Sequence, residues 1–235
     1  MNLARRLEEQ DDAIVTLGGR AFVADPSGAL WCEQTSTLVV SDLHLEKGSA
    51  AARRGTLMPP YDTAQTLDAL AKTIARFGPR RVVSLGDSFH DDGALGRIAE
   101  RDMTMLAGLQ RGRDWLWISG NHDEGLSGVL PGDHADALVE DGICLVHVPR
   151  VGQGGAEIAG HLHPCVKIQT RVGNLRRRAF VFDGARLIMP AFGAYAGGLN
   201  ARDSAILSLF ARGFSVLALG RERVFAIPPG QCRPD

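Results

Sequence analysis

Five short apolar runs, each ending abruptly in a glycine or a polar residue, constrain this chain more than any other feature. Thr37–Ser41 runs into Asp42, Arg81–Leu85 into Gly86-Asp87, and Trp115–Ser119 into Gly120-Asn121. Ile143–Val146 runs into His147, and Glu157–Ala159 into Gly160-His161. Each has the length and the β-branched or aromatic content of a buried strand followed by a turn. Between the first two lies a helical pattern, Asp62–Phe77, in which Leu67, Leu70, Ile74 and Phe77 recur at helical spacing and Gly78-Pro79 follows as a stop. Asp62, with Gln65 three residues on, predicts a capping box at its start. A second helix, interrupted by glycines, is predicted over Asp92–Leu109. Strand, helix, strand, helix, strand predicts a right-handed βαβαβ unit with parallel strands.

Beyond residue 140 the apolar runs at 143–148, 157–160, 165–170, 178–182 and 186–189 leave little room for helices and predict antiparallel strands. Ala13–Leu17, Ala21–Ala24 and Leu30–Cys32 read the same way. Phe214–Leu219 and Arg223–Ile227 read as a final hairpin around Gly220. The picture is an α/β core flanked by antiparallel strands, a sandwich of two sheets. No repeat or long linker divides the 235 residues, so one domain over 1–235 is expected. A net charge of −1 argues against binding nucleic acid by bulk positive charge. No apolar run approaches the roughly 18 residues of a membrane helix, and the start MNLARRLEEQDD reads as no secretion signal, so a cytoplasmic location is expected. Cys32, Cys144, Cys165 and Cys232 form no CxxC pair and read as free, mostly buried thiols.

The polar residues at the strand ends are Asp42-Leu43-His44, Gly86-Asp87, Gly120-Asn121-His122-Asp123, His147 and Gly160-His161-Leu162-His163. The carboxyl ends of strands in open α/β sheets form a ligand crevice, so these loops converge. Asp, Asn and His suit Mn²⁺, Fe or Zn²⁺ rather than Ca²⁺. Asp42 and His44 are two apart, as are His161 and His163, which on extended backbone points both members of a pair to one side. The candidates Asp42, His44, Asp87, Asn121, His147, His161 and His163 exceed the needs of one tetrahedral ion and fit two ions sharing a carboxylate, with Asp87 as the natural bridge. Gly86, Gly120 and Gly160 each precede a candidate, where a strand turns sharply and backbone approaches the ions.

The order D-x-H, GD, GNHD, H, GHxH resembles the calcineurin-like metallophosphoesterase family. The strings SDLHLEKG (41–48), GDSFHD (86–91), GHLHP (160–164) and PAFGAYAGGLN (190–200) are similar to the bacterial DNA-repair phosphoesterases that accompany an ATP-dependent ligase and a helicase. The resemblance implies a four-layer αββα sandwich of two mixed sheets. It implies a first metal on Asp42, His44 and His163, a second on Asn121, His147 and His161, and Asp87 between them. It makes His122 the general acid or transition-state hydrogen-bond donor, oriented by Asp123. The implied activity is hydrolysis of phosphodiesters by a hydroxide activated by two metals, Mn²⁺ first among them, with nucleic acid as substrate and DNA repair as setting. A phosphomonoesterase or nucleotide pyrophosphatase on the same metal site is the alternative. A binding module that kept the fold is the third reading, and the complete ligand set speaks against it. Two departures from the family pattern are that His90 stands where many members carry an acid, and that His147 lacks a following glycine. His134, in PGDHAD, is the alternative ligand and reads as a solvated loop residue.

Other segments carry two readings each. Arg171 and Arg176 to Arg178 are either a solvated hairpin or a basic patch for nucleic-acid phosphates, and Arg53-Arg54 invites the same question. Gly152-Gln153-Gly154-Gly155 reads as a loop, since it lacks the Lys-Ser/Thr of a P-loop. Trp115 and Trp117 read as core. Phe192 and Tyr195 are the candidates for stacking against substrate. The apolar C-terminal hairpin suggests a homodimer.

Overall fold

A computed structural model describes residues 14–122, 129–150, 152, 154–171 and 173–235. The first sheet has seven strands in chain order: β1 (Ile14–Leu17), β2 (Arg20–Ala24), β3 (Leu30–Cys32), β4 (Thr37–Val40), β5 (Arg81–Leu85), β6 (Asp114–Ile118) and β7 (Asp133–Ala135). β1 to β4 pair antiparallel, and β4 to β7 pair parallel. The expected βαβαβ unit is present. Its helices are α2 (Asp62–Phe77) and α3 (Glu100–Gln110), preceded by a short α1 (Lys47–Arg53). Leu67, Leu70 and Ile74 of α2 join Leu38, Val40, Val82, Trp115 and Trp117 in one buried cluster on the outer face of the sheet. The two tryptophans are therefore core, as their spacing suggested.

Two helix expectations are corrected. Asp62 builds no capping box, because α2 starts at Asp62 itself and Tyr61 is the N-cap without a side-chain bond. The buried Asp62 carboxylate instead accepts from the Gly48 backbone N–H at 3.0 Å, tying α2 to α1. The helix expected over Asp92–Leu109 breaks into a 3-10 turn, Ala94–Gly96, and α3. The glycines at 93 and 96 interrupt the apolar pattern there, and the segment is pinned sideways by Arg97, which donates to Asp91 and Ser49.

The second sheet runs β15-β14-β12-β13-β10-β9-β8, with β11 and β16 off this path. Its strands are β8 (Ala137–Glu140), β9 (Ile143–Val146), β10 (Ala156–Ala159), β11 (Cys165–Thr170), β12 (Gly173–Phe182), β13 (Arg186–Ile188), β14 (Ser215–Leu219), β15 (Val224–Ile227) and β16 (Cys232–Arg233). The all-antiparallel expectation fails at its centre, where β10 pairs parallel with both β9 and β13. Parallel neighbours need a crossover, and the β11–β12 hairpin supplies it between β10 and β13 without any helix. The C-terminal hairpin β14–β15 forms as expected.

Val39, Val83, Leu85 and Ile118 of the first sheet share a core with Ile143, Ile158, Phe180 and Leu217 of the second. Ala201, Ile206 and Phe210, around the short α4 (Ser204–Leu207), cover Ala159, Val181 and Ile188 on the far face of the second sheet. Four layers result, and the carboxyl ends of β4, β5, β6, β9 and β10 meet at one edge of the sandwich. No helix among the described residues is long and apolar enough to cross a membrane.

Candidate metal centre

Each candidate ligand lies within four residues of a strand end, His147 directly on one, and loop-to-loop hydrogen bonds lock the ends together. Asp42 N donates to Gly86 O, His44 N to Asp87 O at 2.9 Å, Gly160 N to His147 O, and Gly193 N to Asp42 O. The pairing of Asp42 with His44 and of His161 with His163 does not come from extended backbone. All four are left-handed, with φ of 54°, 44°, 70° and 45°, and Asp87 joins them at 46°. Such a conformation costs an L-residue roughly 1–2 kcal/mol and is found mainly in Asn, Asp and His. Five ligand candidates in this state mean that the surrounding bonds impose the geometry.

Two glycines make the approach feasible. A Cβ on Gly86 (φ 71°) would lie 2.5 Å from Cγ and Nδ1 of His147. A Cβ on Gly160 would lie 1.9 Å from Ser41 Oγ and 2.6 Å from Asp42 Oδ2.

Two groups of side chains result. One ligand atom of each of Asp42, His44 and His163 lies within 4.8 Å of the others, and the same holds for Asp87, His147 and His161. Asp87 also reaches the first group, its Oδ2 lying 3.9 Å from His44 Nε2 while Oδ1 lies 3.4 Å from His147 Nε2. Asn121 Oδ1 is 3.0 Å from His147 Nε2. All seven expected ligand candidates are thus brought together. His134 is not: it sits in β7 rather than a solvated loop, with Nε2 3.2 Å from Leu130 O.

The donor chemistry tests whether cations fit here. His147 Nδ1 donates to Leu85 O at 2.8 Å, and His163 Nδ1 to Gly197 O at 3.1 Å. A carbonyl only accepts, so each Nδ1 carries a proton, and in its neutral form each ring turns a bare Nε2 into the cluster. His147 Nε2 then faces Asn121 Oδ1 and, at 3.2 Å, His161 Nδ1. His163 Nε2 faces His44 Nε2 at 3.3 Å and Asp42 Oδ1 at 3.0 Å. Converging lone pairs suit divalent cations, so the residues fit a two-metal site.

Protons take up the strain when no cation is there. Burial lowers His147, but the Asp87 and Asp42 carboxylates outweigh it and hold it up at about 9. His163 is likewise raised, because Asp42 outweighs its burial. Burial drives His44 down to about 3 against the same carboxylates. Asp87 stays ionised at about 2, the His147 and His44 imidazoles and the His122 N–H prevailing over its burial.

His122 stands at the mouth, its side chain 41% exposed and Nε2 3.9 Å from Asp87 Oδ2. Its backbone N–H donates to Asp87 Oδ1 at 3.0 Å. Its Nδ1 donates to the His90 backbone oxygen at 2.9 Å. Asp123, expected to orient this ring, lies outside the described residues. Sequence reasoning missed the His90 carbonyl, since a backbone group leaves no signature in residue type. The His90 ring stacks on His122, centroids 5.5 Å apart, and its Nε2 meets Arg54 Nη2 at 3.1 Å.

The other candidates separate cleanly. Arg178 is structural, donating to Ala191 O and Phe192 O. Arg176 holds Gly198 O, while Arg171 and Arg177 are exposed. Phe192 is buried among Leu43 and Phe89, so it cannot stack on a substrate, whereas Tyr195 remains exposed. Beside the centre a cleft of about 580 Å³ is lined by Asn121, His147, Val148, Asp136 and Arg150.

Residues 35–180 match the calcineurin-like phosphoesterase family. With more than half of the chain matched and both His/Asp groups inside that span, the protein belongs to that family. No curated protein matches the sequence. Among solved structures, the nuclease MPE of Pseudomonas putida is similar at 24% identity and a TM-score of 0.70, over 90% of this chain and 98% of that one. That likeness shows a shared fold. Yfce, a phosphoesterase from E. coli, aligns at 15% identity and a TM-score of 0.41, over 81% of this chain and 97% of that one.

Proposed function

We propose that this protein is a metal-dependent phosphodiesterase acting on nucleic acid, with Asp42, His44 and His163 holding one divalent cation, Asn121, His147 and His161 the other, and Asp87 between them. The observation that carries the reading is the junction of the two His/Asp groups at Asp87 with His122 exposed beside them. A pair of bound cations supplies positive charge for the phosphate oxygens and lowers the pKa of water enough to make it a nucleophile. Mn²⁺ is the ion to load first, with Fe and Zn²⁺ as the other fits to this donor set.

The chain's own residues do the rest. Asp87 fixes the His122 backbone, and the His90 carbonyl fixes its Nδ1 proton, so Nε2 is the atom presented to the leaving oxygen. Protonated there, His122 gives up its proton as the P–O bond breaks. A diester carries a substituent on each side of phosphorus. The site offers the Arg150 cleft beside His147 on one side and the open 193–198 loop beside His163 on the other.

The test is a metal-stripped protein reloaded with Mn²⁺ and offered a small diester, the matching monoester, a nucleotide and a single DNA strand. Preferred turnover of the diester and the strand is expected. Turnover of the monoester or nucleotide alone would sink the diester reading and leave the monoesterase or pyrophosphatase. His122→Ala is expected to keep both ions by metal analysis and lose roughly 10²- to 10⁴-fold in turnover. Full turnover in that variant would remove His122 from the mechanism.

A further inference from the structure

Of the Arg53-Arg54 pair, Arg54 reaches the metal centre. It follows directly on α1, which the fold holds in place: Gly48 N donates to Asp62 of α2, and Ser49 Oγ accepts from Arg97. Arg54 N donates to Ala51 O, and the neighbouring loop is tied in by His90 N, which donates to Leu45 O at 2.9 Å. From this base Arg54 Nη2 comes within 3.1 Å of His90 Nε2. The His90 ring in turn lies against both parts of the centre, stacked on His122 with centroids 5.5 Å apart and edge-on to His44 at 5.5 Å. One imidazole thus separates the guanidinium from the proton donor and from the Asp42 group of ligands. Arg53 points elsewhere, over the turn at Gly93, where a Cβ would lie 3.7 Å from its Nη1.

The bond to His90 does not occupy the arginine. A guanidinium only donates, so His90 Nε2 accepts and the His90 proton sits on Nδ1. That Nδ1 is buried without a partner among the described residues, so the pair is not built as a closed structural bridge. Arg54 itself is exposed, and no carboxylate among the described residues pairs with it. Lys47, at the start of α1, is half-buried and has no such partner there either. Burial and the Arg54 charge beside it hold the Lys47 amine below its usual value, against the pull of Asp62. Arg97, by contrast, is taken by Asp91. Two unpaired cations on a rigid mount beside a phosphate-processing centre suit a second anion, and the planar fork of arginine matches phosphate oxygens two at a time. His122 presents Nε2 to the leaving oxygen, so the His90–Arg54 pair stands behind it on the side of the departing fragment.

We propose that Arg54, backed by Lys47, binds a second phosphoryl group of the substrate, one linkage from the scissile phosphate on its leaving side. This rests on the phosphodiesterase reading above. The probes are the dinucleoside phosphate dTpdT and its two forms with one further phosphate, at the 5′ or the 3′ end. Affinities are measured by calorimetry on the Mn²⁺-loaded protein with phosphorothioate linkages, which resist cleavage, and kcat and KM with natural ones. Wild type should bind the form phosphorylated on the leaving side about 10-fold more tightly than dTpdT, the low end for a charge-assisted hydrogen bond because Arg54 is exposed. The cleavage products show which end that is. Arg54→Ala should remove the preference, raising Kd and KM for that form about 10-fold. Arg54→Lys keeps the charge without the fork and should keep part of the preference. Arg53→Ala removes the same charge one residue away and should keep all of it.

Equal affinity of wild type for all three probes overturns the proposal, as does a preference that survives Arg54→Ala. A loss as large in Arg53→Ala overturns it too, because diffuse charge and not a site would then hold the phosphate. An Arg54→Ala protein whose kcat falls equally on every probe, with the preference intact, makes Arg54 a positioning residue for His90 instead of a phosphate ligand. A protein that shows the full Arg54 pattern in binding but hydrolyses no diester with Mn²⁺ overturns the phosphodiesterase reading and leaves the phosphate site standing.

Discussion

Replacing Gly86 by alanine tests how the end of β5 builds the metal centre. The new methyl would sit 2.5 Å from Cγ and Nδ1 of His147 and 2.7 Å from its Cβ. His147 has no easy retreat: its ring is buried, and Nδ1 is bonded to Leu85 O at 2.8 Å. Two penalties add. Holding alanine at φ 71° costs roughly 1–2 kcal/mol. Overpacking against the imidazole costs about 1–3 kcal/mol, for a total of about 2–5 kcal/mol. In a chain of this size each kcal/mol moves the melting temperature by about 2–4 °C, so Gly86→Ala should lower it by roughly 4–20 °C. The assay is thermal unfolding of the metal-stripped protein, followed by metal analysis after reloading. One ion per chain should remain, because the displaced ring belongs to the group with Asp87 and His161. His147→Gly removes all three clashing atoms, and in that background Gly86→Ala should cost only the backbone share of about 1–2 kcal/mol. A Gly86→Ala protein that melts with wild type and binds two ions would refute the reasoning. So would equal costs in the two backgrounds.

Two further outcomes follow from charges that the fold buries. In the metal-stripped protein His44 sits at about 3 and His147 at about 9, against an ordinary 6.5. Below pH 6.5 the unfolded chain takes up a proton that folded His44 refuses, and above it the unfolded chain releases one that folded His147 keeps, so stability should peak near pH 6.5 and fall both toward pH 3 and toward pH 9. Urea midpoints at pH 5, 6.5 and 9 check this: Mn²⁺ should remove the alkaline decline by displacing the His147 proton, and a midpoint that rises steadily with pH in the stripped protein would contradict it. Elsewhere, buried Glu157 accepts from Arg186 Nε at 2.8 Å, and Arg186 also donates to Leu209 O. Arg186→Met removes that carboxylate's counter-charge and leaves it only the Arg150 backbone N–H, at 3.2 Å from Oε2, so it should cost about 3–5 kcal/mol, with Glu157→Gln restoring part of it; a melting temperature unchanged by Arg186→Met would show that the pair contributes nothing.

Much of the architecture was legible because it follows from local pattern. Period and stop signals placed α2 at Asp62–Phe77, and the apolar runs placed β4, β5, β6 and β9 within a residue of where they lie. The misreadings share a cause. Whether β10 pairs parallel or antiparallel with β9 depends on which way the chain crosses back, and two apolar runs look alike in either case. Asp62 looked like a cap because its spacing from Gln65 was right, but a carboxylate goes to the nearest unpaired donor, and that is Gly48 on another helix. Phe192 and Tyr195 were indistinguishable as aromatics in one glycine-rich segment, and only packing sends the first into the core.

The amino-acid sequence by itself determined the family's donor set: Asp, Asn and His residues placed behind strand-forming runs, with glycines where backbone must come close. That information is local, carried by residue type and by neighbours a few positions away. Tertiary structure alone decided how those donors are presented. Left-handed backbone at Asp42, His44, Asp87, His161 and His163 is imposed by bonds between loops distant in the chain. The protons on His122, His147 and His163 are fixed by carbonyls of His90, Leu85 and Gly197, and every residue has a carbonyl. No residue type announces such a partner, so only the folded chain shows which nitrogen of each ring is left to face the cluster.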